Sequence, residues 1–161
     1  MRQITPAPVR KSIVVNTEPA RAFEIFTQNI GRWWPRDKTI GSSPQTNVVL
    51  EPGVGGRWYE VGEDNSQCNW GKVLVWAPPQ RLVLAWQIGS DWKFDPHLIT
   101  EVEIRFTSED SSSAGPGRTR VDLEHRGLEN LGAAADRLRA AFDSDNGWAG
   151  VLRGFAQASS R

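Results

Sequence analysis

The chain is poor in the residues on which most chemistry is built. One cysteine, Cys68, stands in 161 residues, so no internal disulfide can staple the fold and a reducing compartment fits. The two histidines, His97 and His125, lie far from each other and from Cys68, so no metal-ligand spacing exists and no metal or cofactor is expected. Nineteen basic residues cancel nineteen acidic ones, and no net field would draw nucleic acid or an anionic membrane. No apolar run could span a bilayer, and residues 1–10 hold no stretch of signal-peptide length, so the expected compartment is the cytoplasm. A nucleophile elbow is missing, and Ser111–Ser113 fall in a polar loop. Gly53-Val54-Gly55-Gly56 has neither dinucleotide spacing nor a following helix, and it reads as a hairpin turn.

What the chain has in quantity is tryptophan: eight against a single tyrosine. Indoles fill large volumes and bring an N–H that wants a partner, so they suit cores and pocket walls alike. One domain over residues 1–161 is expected, with no repeats and no linker, and the length supports a full core.

The last stretch carries the strongest pattern. Trp148, Val151, Leu152 and Phe155 fall at i, i+3, i+4 and i+7, the stripe of an amphipathic helix, with Asp145 or Asn146 available as cap. So bulky a face must be received by something concave. Upstream, Val9–Val15 reads as a strand. Asn16-Thr17-Glu18-Pro19 opens a helix, with Asn16 as the capping residue and the acid and proline in its first turn. That helix buries Ala22, Phe23, Phe26 and Ile30, bends at Gly31 and ends at Pro35 with Trp33-Trp34 at its tip. Short strands follow at 46–51, 57–61, 70–76 and 81–87. Residues 100–106 and 118–125 alternate apolar with charged side chains, which marks an antiparallel sheet with one buried and one wet face. Between these two, residues 109–117 are low in apolar content and read as a mobile loop. Helix resumes at Leu128, with residues 143–147 as an interruption. The class is α+β: a curved antiparallel sheet wrapped around a long C-terminal helix, with two short helices after the first strand.

In this order the residues resemble the helix-grip fold of the START-like (SRPBCC) superfamily. Within it, the chain is similar to homologues of the activator of heat-shock-protein-ninety ATPase. Four segments carry the likeness: Val14 to Phe23, Ile30-Gly31-Arg32-Trp33-Trp34-Pro35, Pro52 to Trp58, and Gly71 to Leu82. The closing Gly147-Trp148 with Leu152 agrees. The resemblance implies a deep, mostly apolar cavity between sheet and helix, of the kind members use for lipids, sterols and polyketides. It implies no shared catalytic motif. The chain has no room for the additional N-terminal domain of the chaperone activator, so the family name is not taken as a function.

Alternation then nominates cavity residues. Trp86 travels with Leu82 and Leu84 and is a wall candidate, whereas Trp76 shares the face of Lys72 and is expected outside. Trp58 and Glu60 share one face; if that face is inner, Glu60 is a buried carboxylate in need of donors. His125 continues the inward run of Val121 and Leu123, either as a general acid–base or as a hydrogen-bonded histidine at a strand end. His97 is expected in solvent, and Trp92 and Phe94 at a cavity mouth. The expected cavity set is Trp34, Trp58, Glu60, Trp86, His125, Trp148 and Leu152, with no catalytic residue assigned.

Three functions fit this reading. The leading one is a cytoplasmic protein that binds a small hydrophobic or aromatic ligand without turnover. The second is a cyclase-like or hydrolytic enzyme working in the same cavity through His125 or Glu60. The third is a co-chaperone-like interaction domain with a filled core and a protein partner. The ligand's identity and the oligomeric state stay open.

Overall fold

The computed structural model describes residues 6–109 and 117–159. Seven strands, β1 (Val9–Val15), β2 (Gln45–Leu50), β3 (Arg57–Gly62), β4 (Gln67–Ala77), β5 (Arg81–Trp86), β6 (Thr100–Ser108) and β7 (Thr119–Arg126), form one antiparallel sheet in the order β1-β7-β6-β5-β4-β3-β2. The loop reading for residues 109–117 falls largely on positions outside the described residues.

The alternation expected for β6 and β7 is present. Thr100, Val102, Ile104 and Phe106 point inward with Thr119, Val121, Leu123 and His125, all buried. On the other face Glu103 takes hydrogen bonds from Arg81 Nε and Arg105 Nε, both at 2.6 Å, and from Arg126 Nη1. Burial raises the Glu103 pKa, but these guanidinium contacts outweigh it and hold the carboxyl down at about 2.

After β1 come α1 (Pro19–Thr27) and α2 (Ile30–Trp33). The cap differs from expectation: Glu18, not Asn16, stands at the N-cap without a side-chain bond, and Pro19 opens the helix. Gly31 also differs. It lies inside α2, where a Cβ would meet Asn47 Oδ1 at 1.8 Å, so it allows close approach to β2 rather than a bend.

The C-terminal arm runs from Leu128 to Ser159 in three pieces: a 3₁₀ segment (Leu128–Ala134), α3 (Ala135–Asp143) and α4 (Trp148–Ser159). The interruption at residues 144–147 is where the sequence places it. Gly147, rather than Asp145 or Asn146, immediately precedes α4. A Cβ there would sit 2.2 Å from the Phe142 carbonyl oxygen, so only glycine lets the two helices meet at this angle. Trp148, Val151, Leu152 and Phe155 are all buried. Phe155 packs edge-on against Phe26, with ring centroids 5.2 Å apart, which ties α4 to α1.

β4 is where simple alternation fails. Its register against β3 shifts between Trp58 and Tyr59, and against β5 between Val73 and Val75. Each extra residue turns the next side chains over. The second shift carries Trp76 to the inner face opposite Leu82, with its ring 5.1 Å from Phe23, so the outer placement expected for Trp76 is corrected. The first leaves Gly71 with no space above it: a Cβ would lie 1.7 Å from the Ala85 carbonyl oxygen.

Gly71→Ala should therefore force β4 off β5 and cost about 2–3 kcal/mol in denaturant unfolding. Val54→Ala, at a hairpin tip 75% exposed, should stay within about 0.5 kcal/mol of wild type. Equal stability of the two variants would contradict this reading of β4.

Candidate functional site

The four edge-on contacts Trp34–Trp58, Trp58–Trp86, Trp86–Trp148 and Trp148–Trp34 close into a ring of indoles, with centroids 6.1, 5.7, 5.6 and 6.2 Å apart. Edge-to-face packing sets the positive rim of one indole against the negative face of the next, so the four hold one another in place. They come from four elements: the end of α2, β3, β5 and α4. Trp70 of β4 packs on Trp34 at 5.0 Å.

Against this ring lies a cavity of about 440 Å³. Trp34, Trp70, Trp86 and Trp148 give it indole walls, with Ile88, Phe142 and Val151 between them. Its mouth is framed by three irregular segments: residues 37–40 after α2, the turn carrying Trp92, and the α3–α4 junction at Ser144, Asn146 and Gly147. Trp92 is 44% exposed and holds a left-handed backbone, φ 59°, in a turn closed by its N–H to the Gly89 carbonyl. Of the two residues expected at the mouth, Trp92 lines it and Phe94 does not, pairing instead with Ile88; His97 is in solvent as expected.

The mouth loop is fixed from below by Glu60. Its buried carboxylate accepts from the Ile40 N–H at 2.7 Å, from Trp70 Nε1 at 3.0 Å and from the Thr39 hydroxyl. Glu60 thus lies on the inner face, and three donors take the place of a counter-ion. The Lys38 carbonyl is pinned as well, accepting from Trp34 Nε1 at 3.1 Å and Gln45 Nε2 at 2.9 Å.

His125 sits in a chain of hydrogen bonds whose direction is set by chemistry. An indole N–H can only donate, so Trp148 Nε1 donates to His125 Nδ1 at 3.1 Å. The ring proton is then on Nε2 and donates to Thr100 Oγ1 at 2.7 Å. The Thr100 hydroxyl donates onward to the Trp86 carbonyl at 3.2 Å. The ring is wholly buried between Phe142 and Trp86, and burial pulls its pKa down to about 3. Both nitrogens are engaged and the ring is neutral, so this histidine orients Trp148 instead of exchanging protons with a ligand.

Of the seven residues expected at the cavity, Trp34, Trp86 and Trp148 line it. Trp58, Glu60 and His125 back it, Trp58 from within the ring, Glu60 through the mouth loop and His125 through Trp148, whereas Leu152 is buried in the core on α4 and does not line the cavity. Sequence reasoning missed Trp70, Lys38 and Phe142. Trp70 is the extra residue at the first β4 register shift, so strict alternation could not assign its face. Phe142 falls at helical spacing with Ala135 and Leu138, but its place at the cavity depends on the break at residues 144–147. Among the described residues no cluster of histidine, cysteine, aspartate or glutamate could hold a metal ion, and no helix is long and apolar enough to cross a membrane.

A curled antiparallel sheet gripping a C-terminal helical arm over an apolar cavity defines the helix-grip class of ligand-binding folds. The model of the family described as "Activator of Hsp90 ATPase homolog 1-like protein" matches residues 16–159, and the chain belongs to this family. Among solved structures it is similar to an anthrahydroquino-γ-pyrone synthase, Txn09, solved as a complex: 34% identity, 95% of this chain and 97% of that one covered, TM-score 0.64. It is also similar to CalC from Micromonospora echinospora, a self-sacrificing resistance protein: 28% identity, coverage of 94% and 93%, TM-score 0.64. The Aha1 dimer from Colwellia psychrerythraea shares the fold at 12% identity, with 96% and 97% covered and a TM-score of 0.61. No curated protein matches the chain.

The buried histidine has a consequence for pH. Its folded pKa lies below the unfolded value of 6.5, so the unfolded chain binds the proton more tightly and stability falls as pH drops from 6.5 toward 3. Glu103 acts in the same direction but only below its unfolded value of 4.5. Between pH 6.5 and about 5, urea unfolding should therefore lose about 2 kcal/mol, at about 1.36 kcal/mol per unit. His125→Gln should start less stable and be flat across that window. A slope that survives in the variant would mean that another group carries it.

Proposed function

We propose that the protein holds a planar aromatic small molecule in the cavity between α4 and the sheet. The observation that carries this reading is the wall: indoles of Trp34, Trp70, Trp86, Trp92 and Trp148 around a space of about 440 Å³, within the roughly 300–1,000 Å³ of ordinary ligand sites. Indole faces stack on flat ring systems at little conformational cost, and the rings of Trp34, Trp70, Trp86 and Trp148 are already held by their aromatic neighbours. The synthase that is 34% identical over nearly the whole chain is named for a polycyclic aromatic product, which supports a fused-ring ligand here.

A filled core with an apolar docking patch is the weaker alternative. Among the described residues the exposed large apolar side chains are Val14, Val54 and Trp92, on an outer strand face, a hairpin tip and the cavity mouth. They form no common patch. Turnover is the second reading, and the same synthase favours it. The groups that would reach a ligand are then Asp37, Lys38 and Thr39 at the mouth, since His125 is neutral and engaged on both nitrogens.

Titration with an anthraquinone-type probe should quench tryptophan fluorescence saturably. Trp92→Ala should weaken binding several-fold, as expected for loss of one aromatic contact of about 1 kcal/mol. Trp76→Ala, whose ring lies against Phe23 away from the cavity, should leave affinity unchanged. No saturation, or equal weakening by the two variants, would sink the proposal.

A further inference from the structure

The cavity wall holds one cation among its sixteen residues. Lys38 is half-buried, and its backbone is held in place by the bonds that Trp34 and Gln45 make to its carbonyl. Its ammonium reaches across the mouth to the Asn146 carbonyl at the α3–α4 junction. That acceptor is neutral, and among the described residues no carboxylate lies within salt-bridge distance of Lys38. An ammonium has three donors, and here one is used, by a group that carries no countercharge.

At the exposed rim of an apolar cavity, a cation whose one contact is a neutral carbonyl gains little stability from that contact. The arrangement is a suitable one for receiving an anionic oxygen. We infer that Lys38 selects the ligand of this cavity, and that the ligand is an aromatic molecule with an ionised oxygen, a carboxylate or acidic phenolate, at the edge facing the mouth. The inference rests on the reading of the cavity as an aromatic-ligand site. The rings lie against Trp86 and Trp148, while the charged oxygen takes donors of Lys38 that Asn146 leaves free. Asp37, on the same rim, opposes an anion. Its side chain is exposed, so water and salt screen it.

The test uses two probes of one shape, anthraquinone-2-carboxylate and anthraquinone-2-carboxamide, titrated against the full chain by fluorescence. In low salt the carboxylate should bind roughly tenfold more tightly, the size of a charge-assisted hydrogen bond. Lys38→Gln should erase the preference, the carboxylate losing more affinity than the carboxamide. Lys38→Arg should keep the preference, and Asp37→Asn should enlarge it. Equal affinity of wild type for the two probes, or a preference that persists in Lys38→Gln, overturns the inference while the cavity reading stands. If neither probe saturates, the cavity reading itself fails and the inference with it. Should Lys38→Gln loosen the mouth and weaken both probes, the wild type decides. A preference that collapses in molar salt supports Lys38, and one that does not change overturns it.

Discussion

The chain of donors from Trp148 through His125 and Thr100 to the Trp86 carbonyl is the constraint on which the site depends. It links α4 to β7, β6 and β5 in one directed sequence, and it starts and ends at cavity-wall residues. Its direction follows from the one group in it that cannot accept, the indole N–H. With that bond made, the histidine tautomer is decided, and with the tautomer the threonine rotor. A neutral, wholly buried ring is the outcome, because a protonated one could no longer accept from Trp148 and would carry an unpaired charge in an apolar core. The histidine that the sequence offers as a catalytic candidate is thus better understood as the positioning residue for an aromatic wall.

Around this axis the structure divides its polar groups by role. Glu60 spends its carboxylate on three donors and so holds residues 39 and 40 at the rim. Glu103 gathers three arginines on the far side of the sheet, where they stabilise β5, β6 and β7 without reaching the cavity. What faces the cavity is mostly indole and aliphatic, with Asp37, Lys38 and Thr39 on one edge. A site of this composition discriminates by shape and by a small number of polar contacts, and it binds chiefly through buried apolar area.

Much of this could be read from the chain, and the limits have physical causes. β6 and β7 were legible because period-two alternation survives wherever a strand pairs without shifts, and the inward course of Val121, Leu123 and His125 is as expected. The α4 stripe was legible because Trp148, Val151, Leu152 and Phe155 repeat at helical spacing. Trp70 and Trp76 were not, because two register shifts in β4 invert the parity on which the assignment of faces rests. A shift costs the sequence only one residue, and Gly71 was its faint sign. Nor could spacing show that Trp34, Trp58, Trp86 and Trp148 meet, since the ring closes between Trp34 and Trp148, more than a hundred positions apart. The start of α4 has a related cause: Gly147 approaches the end of α3, a tertiary contact that no local preference for Asp or Asn anticipates.

The central claim is that an aromatic ligand enters against Trp34, Trp70, Trp86, Trp92 and Trp148, with Trp33 and Trp76 outside the site. The eight indole N–H groups give eight separable resonances in a nitrogen–proton correlation spectrum once single substitutions have identified them. On titration with a fused-ring quinone, the five wall resonances should shift together along one saturation curve. Trp33, whose N–H is held by the Ile25 carbonyl at 2.8 Å, and Trp76 should stay in place. Shifts at Trp76 or Trp33 with the wall resonances unmoved would contradict the account.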